Sequence, residues 1–491
     1  MDAIRRFFKI DEAGSTINTE IRAGVVTFMT MAYIIVVQPA VLMGAGMPVK
    51  AVMLATCLSS AVATLIMGLW ANYPIALAPA MGHNFYFVFL VKSGLCTWQE
   101  ALGAVFISGV LFLVLSFWGL RERVMNAVPD SLKYGIAVGI GLLIAVVGLR
   151  TGGIVVENSD ASGWMIHPFG LSSLLVVIGL AITAGLMALK VRGAILIGLL
   201  ATAVIGRIMG LVHWGNTPVG MPPWAELGQT ALQLDIVGAL RHGLFGVIFT
   251  FFFLDLFDTI GTLIGVSQQA GLMRDGKLPR ARQALFADAS GTVVGSLLGT
   301  STVTSYIESA AGVSDGGRTG LASVVTAGLF ILALFFSPFV EMIAQHPPVP
   351  QTFEFETATR ATWQSAPDRK MASSGAQWTK EVAPGEIVKV TRLRFDHNPV
   401  TAPTLIIIGC LIMTAVVHIP WSDWTEALPA FLAILMMPLT SSITDGIAFG
   451  FIAYVLLKGL TRQFRQINPW VLVFAVLFVI RYVYMALTPA G

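Results

Sequence analysis

Apolar runs of about 17 to 25 residues recur along most of the chain, separated by short stretches rich in charged residues, Pro or Gly. A helix of this length crosses a hydrocarbon core roughly 30 Å thick. The pattern predicts fourteen membrane-spanning segments, numbered here in chain order: 20–43, 49–70, 74–92, 99–120, 129–149, 168–189, 191–212, 243–265, 281–299, 300–316, 319–343, 402–418, 424–440 and 443–460. The chain is therefore expected to be an all-α polytopic membrane protein.

The segments fall into two groups of seven on either side of a connecting loop, 213–242. An odd number of spans per group makes the groups cross the membrane in opposite senses, as inverted repeats do in secondary transporters. The first span, AGVVTFMTMAYIIV, also resembles the eighth, FGVIFTFFFLDLFD. The predicted organisation is an N-terminus at 1–19, repeats at 20–212 and 243–460, and a C-terminal apolar segment at 461–491. Its stretch 467–487 is either an extra span or a helix lying in the membrane interface.

Lys and Arg residues concentrate in five places: 5–9, 121–133, 190–192, 274–282 and 458–465. With fourteen spans, all five lie on the same side of the membrane. Basic loops are retained on the cytoplasmic side. The distribution thus predicts a multi-pass protein of the cell inner membrane with a cytoplasmic N-terminus.

One sizeable polar insertion, 345–400, separates segments eleven and twelve. It contains the alternating stretch GEIVKVTRLRF next to a Pro-Gly pair, and such period-two alternation beside a turn signal predicts a β-hairpin. We expect the insertion to lie outside the membrane, on the face opposite the N-terminus. A small external cap is favoured over a partner-binding domain.

Composition supports a membrane protein and excludes several other classes. Of the 491 residues, 56% are hydrophobic and 12% are charged, whereas about 25% of a soluble domain is charged. The three cysteines, Cys57, Cys96 and Cys410, lie far apart without metal-type spacing, so neither a disulfide framework nor a metal site nor a cofactor is expected. The net charge of +3 does not favour nucleic-acid binding. The N-terminus lacks the features of a removable signal peptide.

Two acidic residues lie inside the apolar run of segment eight, FFFLDLFDTIGTLIGV. A carboxylate at this depth costs several kcal/mol, roughly, unless it has a partner or a cavity. Asp255 and Asp258 are three positions apart, so they share one helix face. Bonding to hydroxyl groups of neighbouring helices is the structural alternative, but paired intramembrane acids favour a functional site.

Segments three and ten are interrupted at matching positions of the two repeats. Segment ten, LLGTSTVTSYIESAAGVSDGGRTG, places hydroxyl residues before Glu308, which favours a short extended stretch followed by a half-helix. Segment three is interrupted by Pro74, Pro79 and Gly82, with His83 and Asn84 inside the apolar run. Non-helical backbone persists at membrane depth only where protein buries it or water lines it. Such paired interruptions indicate the substrate site of a transporter.

These segments resemble the azaguanine-like purine permeases, the adenine, guanine and hypoxanthine branch of the nucleobase and cation symporters. The resemblance covers nearly the whole chain outside 345–400. It rests on TEIRAGVVTFMTMAYIIVVQPA (19–40), APAMGHNFYF (78–87), DLFDTIGTLIGV (255–266), GTSTVTSYIESAAGVSDGGRTGLASVVTA (299–327) and PAFLAILMMPLTSSITDGIAFGF (429–451).

The resemblance implies a fold with core and gate domains and a substrate site between short strands in segments three and ten. The gate would be built mainly from segments five to seven and twelve to fourteen. By matching motifs, Asn84, Asp255, Asp258 and Glu308 look like the family's substrate-binding and transport residues. We add three neighbours from the interrupted segments as candidate substrate contacts: His83, Phe85 and Thr304.

Four positions depart from the usual family pattern. Gln38 stands where Asn is common, Ala80 where Gly is common, His83 where Leu is usual and Phe85 where a smaller residue is usual. The last three lie beside Asn84, so they bear on substrate choice. His83 is either a ligand contact, a proton-sensitive group or a histidine bonded to a neighbour.

The expected mechanism is import of a purine nucleobase with a proton by alternating access across the lipid bilayer. Glu308 or Asp255 would take up the proton, because protonation lowers the free-energy cost of a carboxylate at this depth. Sodium in place of the proton stays open, and so does the oligomeric state, with a homodimer as one option.

Three other classes compete with this interpretation. One is a transporter of another nucleobase, such as xanthine or uracil. An anion transporter on the same fold would need cationic groups or half-helix N-termini at its site, whereas segments eight and ten carry acids. A membrane-embedded enzyme is not expected, since the sequence has no HExxH or GxSxG motif.

Overall fold

The computed structural model describes residues 2–117, 128–157, 164–166, 170–212, 219–241, 245–272, 278–344, 349–356, 387–394, 398–440 and 442–487. Most of these residues are helical, and the strands among them form three two-stranded sheets. Within the described ranges, seven helices are long and apolar enough to cross a membrane unaided, and five further apolar helices are shorter. The protein is an all-α membrane protein with a few short strands.

The first repeat begins after a short N-terminal helix and comprises segments one to seven. Segments one and three are each built from two elements. The elements are α1 (Asp2–Phe8), α2 (Ile17–Met31), α3 (Ile34–Leu42), α4 (Val49–Ile66), β1 (Leu77–Pro79), α5 (Met81–Lys92), α6 (Trp98–Phe117), α7 (Asp130–Thr151), β2 (Val155–Glu157), β3 (Trp164–Ile166), α8 (Leu171–Ala188) and α9 (Ala194–Ile208).

The second repeat follows two short helices in the connecting segment and comprises segments eight to fourteen. Here too, the third segment of the repeat is a strand followed by a half-helix. The elements are α10 (Trp224–Leu227), α11 (Ile236–Arg241), α12 (Phe245–Gln269), α13 (Ala281–Leu298), β4 (Val303–Ser305), α14 (Ser309–Ser314), α15 (Gly320–Ala333), α16 (Ser337–Ala344), β5 (Val349–Glu356), β6 (Ile387–Arg394), α17 (Ala402–Met413), α18 (Trp424–Thr440), α19 (Ile443–Leu460) and α20 (Pro469–Leu487).

The helices pack as two domains, and each domain contains helices of both repeats. In the core domain, α2 and α4 of the first repeat pack on α15, and α4 and α6 pack on α13. In the gate domain, α7 of the first repeat packs on α17 and α18, and α8 packs on α17. This interleaving is the arrangement of the seven-plus-seven inverted-repeat fold. The predicted fold class is therefore confirmed.

Strands β1 and β4 form the antiparallel pair at the centre of the core. Leu77 lies opposite Ser305, and Pro79 lies opposite Val303. The pairing extends beyond both strands, with Ala80 N donating to Thr302 O at 2.9 Å and Tyr306 N donating to Ala76 O at 2.9 Å. The two interrupted segments thus satisfy each other's backbone groups in a region where water is scarce. The predicted short strands are confirmed.

Segment one is also broken, which the sequence did not predict. Helix α2 ends at Met31 and α3 begins at Ile34, with Ala32 and Tyr33 between them. Neither residue is a helix breaker, so the local sequence carries no signal for the break. The residues at this break contact segment ten, as described for the candidate site.

The stretch 467–487 and the described parts of the polar insertion, 349–356 and 387–394, form regular structure. Helix α20 packs against α19, and its Phe474 and Phe478 lie in an aromatic cluster with Phe249 and Phe451. In the insertion, GEIVKVTRLRF contributes β6, which pairs antiparallel with β5. A two-stranded ribbon is therefore present between segments eleven and twelve, as the alternation indicated.

Candidate functional site

The candidate site lies where the two strand and half-helix segments meet segments one and eight. Helix α5 begins directly after β1, and Glu308 is the N-cap residue of α14, three residues after β4. The β-branched residues of Val303-Thr304-Ser305 favour an extended strand, and the small residues of α14 allow its close approach to α2. Helix α12 contacts both β4 and α14.

Two carboxylates of the site are partly accessible. Asp258 and Glu308 are half-buried, and they lie on α12 and at the start of α14, two helices that contact each other. Thr304 Oγ1 donates to Asp258 Oδ2 at 3.3 Å, and Tyr33 Oη donates to Glu308 Oε1 at 2.6 Å. The structure therefore brings three predicted residues together, with an acidic surface that a bound molecule can reach.

Asp255 lies behind this surface. Its side chain is fully buried, with Thr259 Oγ1 at 3.3 Å from Oδ1 and Thr292 Oγ1 at 3.3 Å from Oδ2. Thr292 Oγ1 also lies 3.0 Å from the carbonyl oxygen of Val303 in β4. Asp255 thus supports the strand from within the core, whereas its neighbour Asp258 faces the accessible side.

A further buried carboxylate, Asp288 of α13, was missed in the sequence analysis. Its Oδ2 accepts from Thr259 Oγ1 at 2.7 Å, and its Oδ1 accepts from the backbone N of Ser305 at 3.0 Å and from Ser305 Oγ at 3.2 Å. Asp288 lies inside the predicted span 281–299. An acidic residue within a membrane span is energetically unfavourable, and this could have identified Asp288 from the sequence. Thr259 links Asp288 to Asp255 behind β4.

Asn84 is held by other protein groups. It is fully buried, its Nδ2 donates to Gln38 Oε1, and its Oδ1 accepts from Ser301 Oγ. Gln38 Nε2 in turn donates to Thr300 Oγ1 at 2.9 Å. This network joins α3 and α5 to the residues before β4. Gln38, one of the four departures from the family pattern, is therefore the direct partner of Asn84.

His83 and Phe85 occupy different environments on α5. His83 is 2% exposed, and within the described part of the chain neither ring nitrogen has a hydrogen-bond partner. A buried polar group left in this way costs about 1 to 3 kcal/mol. Phe85 is half-buried and packs against the apolar cluster that contains Met81 and Tyr306. Both remain predicted site residues.

The fold is shared with solved anion transporters of low sequence identity. The transmembrane domain of the cyanobacterial bicarbonate transporter BicA has a TM-score of 0.56 at 14% identity, over 89% of this chain and 97% of that domain. Murine Slc26a9 has a TM-score of 0.57 at 10% identity, over 92% of this chain and 69% of its own. This likeness shows the fold, that of a polytopic membrane protein with seven-plus-seven inverted repeats.

Sequence comparison gives the family. The profile of the Permease family (Xan_ur_permease) matches residues 18–350. The guanine/hypoxanthine permease PbuO of Bacillus subtilis is 42% identical over 96% of this chain and 99% of its own length. The adenine permease AdeP of Escherichia coli is 37% identical over 98% and 96%. The chain belongs to the Permease family, and it is a multi-pass transporter, not an enzyme.

Proposed function

We propose that the protein is a secondary transporter that imports a purine nucleobase together with a proton by alternating access. The names of the relatives support the substrate class, since PbuO and PbuG of Bacillus subtilis are guanine/hypoxanthine permeases and AdeP is an adenine permease. Identity above 35% along nearly the whole chain makes the same class of substrate the first expectation for this protein.

The pair of accessible carboxylates, Asp258 and Glu308, is the observation that carries the proposal. A purine presents ring N–H and exocyclic amine donors along one planar edge, and carboxylate oxygens accept such bonds strongly. Tyr33 donates to one oxygen of Glu308, and we place the donor of the substrate at the other oxygen of this half-buried carboxyl group.

Proton coupling is assigned to Glu308 in preference to Asp255. Glu308 is half-buried and reaches the accessible side, whereas Asp255 is fully buried. A proton arriving with the substrate reaches Glu308 first. Protonation also removes a charge whose movement through a low-dielectric region is unfavourable. Sodium is the alternative coupling ion.

Anion transport is disfavoured even though the fold is that of anion transporters. A fold supports many substrates, and the site determines which one binds. Glu308 is the N-cap residue of α14, so a negatively charged group already stands at the half-helix N-terminus that would attract an anion. The two acids would repel an anionic substrate.

Uptake into cells that lack their own nucleobase permeases tests the proposal. Radiolabelled adenine, guanine, hypoxanthine, xanthine and uracil are offered with and without a protonophore, and with sodium replaced by potassium. We expect uptake of a purine that is abolished by the protonophore and by Glu308→Gln. Glu12→Gln is the matched control, because Glu12 is exposed and its ion pair is with Lys9, three residues earlier on the N-terminal segment. If no nucleobase enters while the protein is in the membrane, the substrate assignment is wrong.

A further inference from the structure

We propose that Tyr33 is a positioning residue of the substrate site, which holds one oxygen of Glu308 and thereby directs the other toward the substrate. The inference rests on the proposed function, because it concerns the same carboxylate. It assigns a role to an aromatic residue of segment one, a segment in which the sequence analysis placed no site residue.

The geometry of the contact is that of a strong hydrogen bond. The distance of 2.6 Å between Tyr33 Oη and Glu308 Oε1 lies in the range of about 2.5 to 2.7 Å typical of a hydroxyl donating to a carboxylate. Tyr33 is 1% exposed, so water does not compete for its hydroxyl group. Tyr33 belongs to a buried apolar cluster that also contains Ile34 and Tyr306.

The turn in segment one contains Tyr33. Tyr33 lies between α2 and α3 and has a right-handed backbone conformation, with φ −56° and ψ −28°. One helical turn earlier, Thr30 Oγ1 lies 3.3 Å from the carbonyl oxygen of Glu308. Segment one therefore contacts both the main chain and the carboxylate of Glu308. The bond from Tyr33 is the contact that orients Glu308, because the hydroxyl group of Thr30 lies closer to the carbonyl oxygen of Thr27, at 2.8 Å.

The internal repeat gives independent support. When the first span is aligned with the eighth as AGVVTFMTMAYIIV with FGVIFTFFFLDLFD, Tyr33 corresponds to Asp255. Asp255 is a polar group in the middle of its segment that lies behind strand β4. The equivalent position of the first repeat thus also carries a polar group, although Asp255 supports β4 from behind and Tyr33 bonds a carboxylate of the site.

A fixed carboxylate binds its ligand better than a mobile one. A glutamate side chain loses rotamer freedom when it binds a ligand, and a group that is already held loses less. The hydroxyl of tyrosine can donate to an ionised carboxylate and accept from a protonated one. Tyr33 can therefore hold Glu308 in both protonation states of the transport cycle.

Tyr33→Phe removes only the hydroxyl group and is the variant that tests the inference. Loss of a hydrogen bond to a charged group costs enough free energy to lower an affinity by roughly 10-fold or more. We expect the KM for the transported purine to rise by about 10-fold or more, with a much smaller change in maximal rate at equal amounts of protein in the membrane. Tyr73→Phe is the matched control, since Tyr73 is equally buried but its hydroxyl accepts from the backbone N of Arg280.

Infrared difference spectroscopy supplies a second readout that needs no substrate. The carboxyl band of Glu308 is identified by its loss in Glu308→Gln. The expected result is a shift of this band in Tyr33→Phe and no shift in Tyr73→Phe. An unshifted band would overturn the inference even if the KM changed, because Tyr33 would then act only on folding or packing. If wild type transports no nucleobase, the proposed function fails, and the infrared band alone decides whether Tyr33 holds Glu308.

Discussion

Arg192 of the gate domain and Asp315 of the core domain form an ion pair across the boundary between the two domains. Arg192 lies in the turn between α8 and α9, and Asp315 follows α14. The side chain of Asp315 is only 3% exposed, and Arg22 of α2, in the same domain, binds the same carboxylate at 2.6 Å. The ion pair with Arg192 therefore exists only while this turn lies against the core.

Loss of the Arg192 contact should open this boundary more often. Partly exposed ion pairs contribute up to about 1 kcal/mol, so Arg192→Gln is expected to shift the equilibrium up to about fivefold toward the open arrangement. Met29 lies under the same turn, next to Gly193. A cysteine at position 29, in a background with the exposed Cys410 replaced by Ser, should then react faster with a water-soluble maleimide.

Arg22→Gln is the matched control for this prediction. It removes a positive charge from the same carboxylate but leaves the contact across the boundary in place. Labelling at position 29 should stay near the rate of the parent protein. Equal acceleration in both variants would show that the charge on Asp315, and not the contact between domains, controls access.

Patterns along the sequence predicted the elements that form the site better than the contacts inside it. The interruption of segments three and ten by Pro, Gly and hydroxyl residues indicated the strand and half-helix architecture, which the structure confirms. Asp258 and Glu308 stood out because acids are rare in apolar runs. These signals depend on neighbouring residues only, so they can be recognised in a single sequence.

The remaining site contacts depend on tertiary structure. Tyr33 is an ordinary residue in a membrane span, and nothing nearby in the sequence marks the break beside it. Gln38 and Asn84 are 46 positions apart along the chain and become partners only when α3 and α5 pack. Asp288 could have been recognised as an acid inside a span, but its role in holding β4 requires knowing that Ser305 lies beside it. The roles of all candidate residues in transport stay predictions.

Asp288→Asn should destabilise the protein, whereas Asp258→Asn should mainly impair transport. Asp288 accepts three hydrogen bonds in a fully buried position, and an amide directs hydrogen atoms toward some of those donors. Each bond to a charged group contributes about 1.5 to 3 kcal/mol, so Asp288→Asn is expected to lower the free energy of unfolding by roughly 3 kcal/mol.

Asp258 is half-buried, and its carboxylate accepts a hydrogen bond from Thr304 at 3.3 Å. Thermal unfolding in detergent, followed by tryptophan fluorescence, should separate the two variants. Equal midpoints would contradict the structural role of Asp288.

Two glycines of α15 should respond in opposite ways to alanine. Gly320 lies against Gly68, two residues after the end of α4, and a Cβ atom there would be 2.9 Å from Asn72 Cα and closer still to the Gly68 carbonyl group. Gly320→Ala should therefore separate α4 from α15 and lower the unfolding temperature. Gly328 of the same helix has open space around its Cα, so Gly328→Ala should be neutral or stabilise the helix by up to about 1 kcal/mol. A destabilised Gly328→Ala would show that this face of α15 is packed.

Lys458 at the end of α19 is a buried cation whose removal should be costly. Its side chain is 1% exposed, and Nζ lies 2.8 Å from Glu426 Oε1, with further bonds to Thr425, Gln463 and Gln466. Lys458→Met leaves the carboxylate of Glu426 in place, with Ser131 still bonded to it. Removing one partner of a buried pair typically costs about 3 to 5 kcal/mol. Lys458→Met should lower the unfolding midpoint clearly.

The double variant distinguishes an unpaired charge from lost packing. Replacement of both members of a buried pair by uncharged groups is often close to neutral, because no isolated charge remains. Lys458→Met combined with Glu426→Gln should therefore recover most of the stability that Lys458→Met loses. Glu426→Gln alone leaves the lysine bonded to Thr425 and two glutamine side chains, so its loss should be smaller. If the double variant is as unstable as Lys458→Met, the lysine acts through its aliphatic contacts and not through its charge.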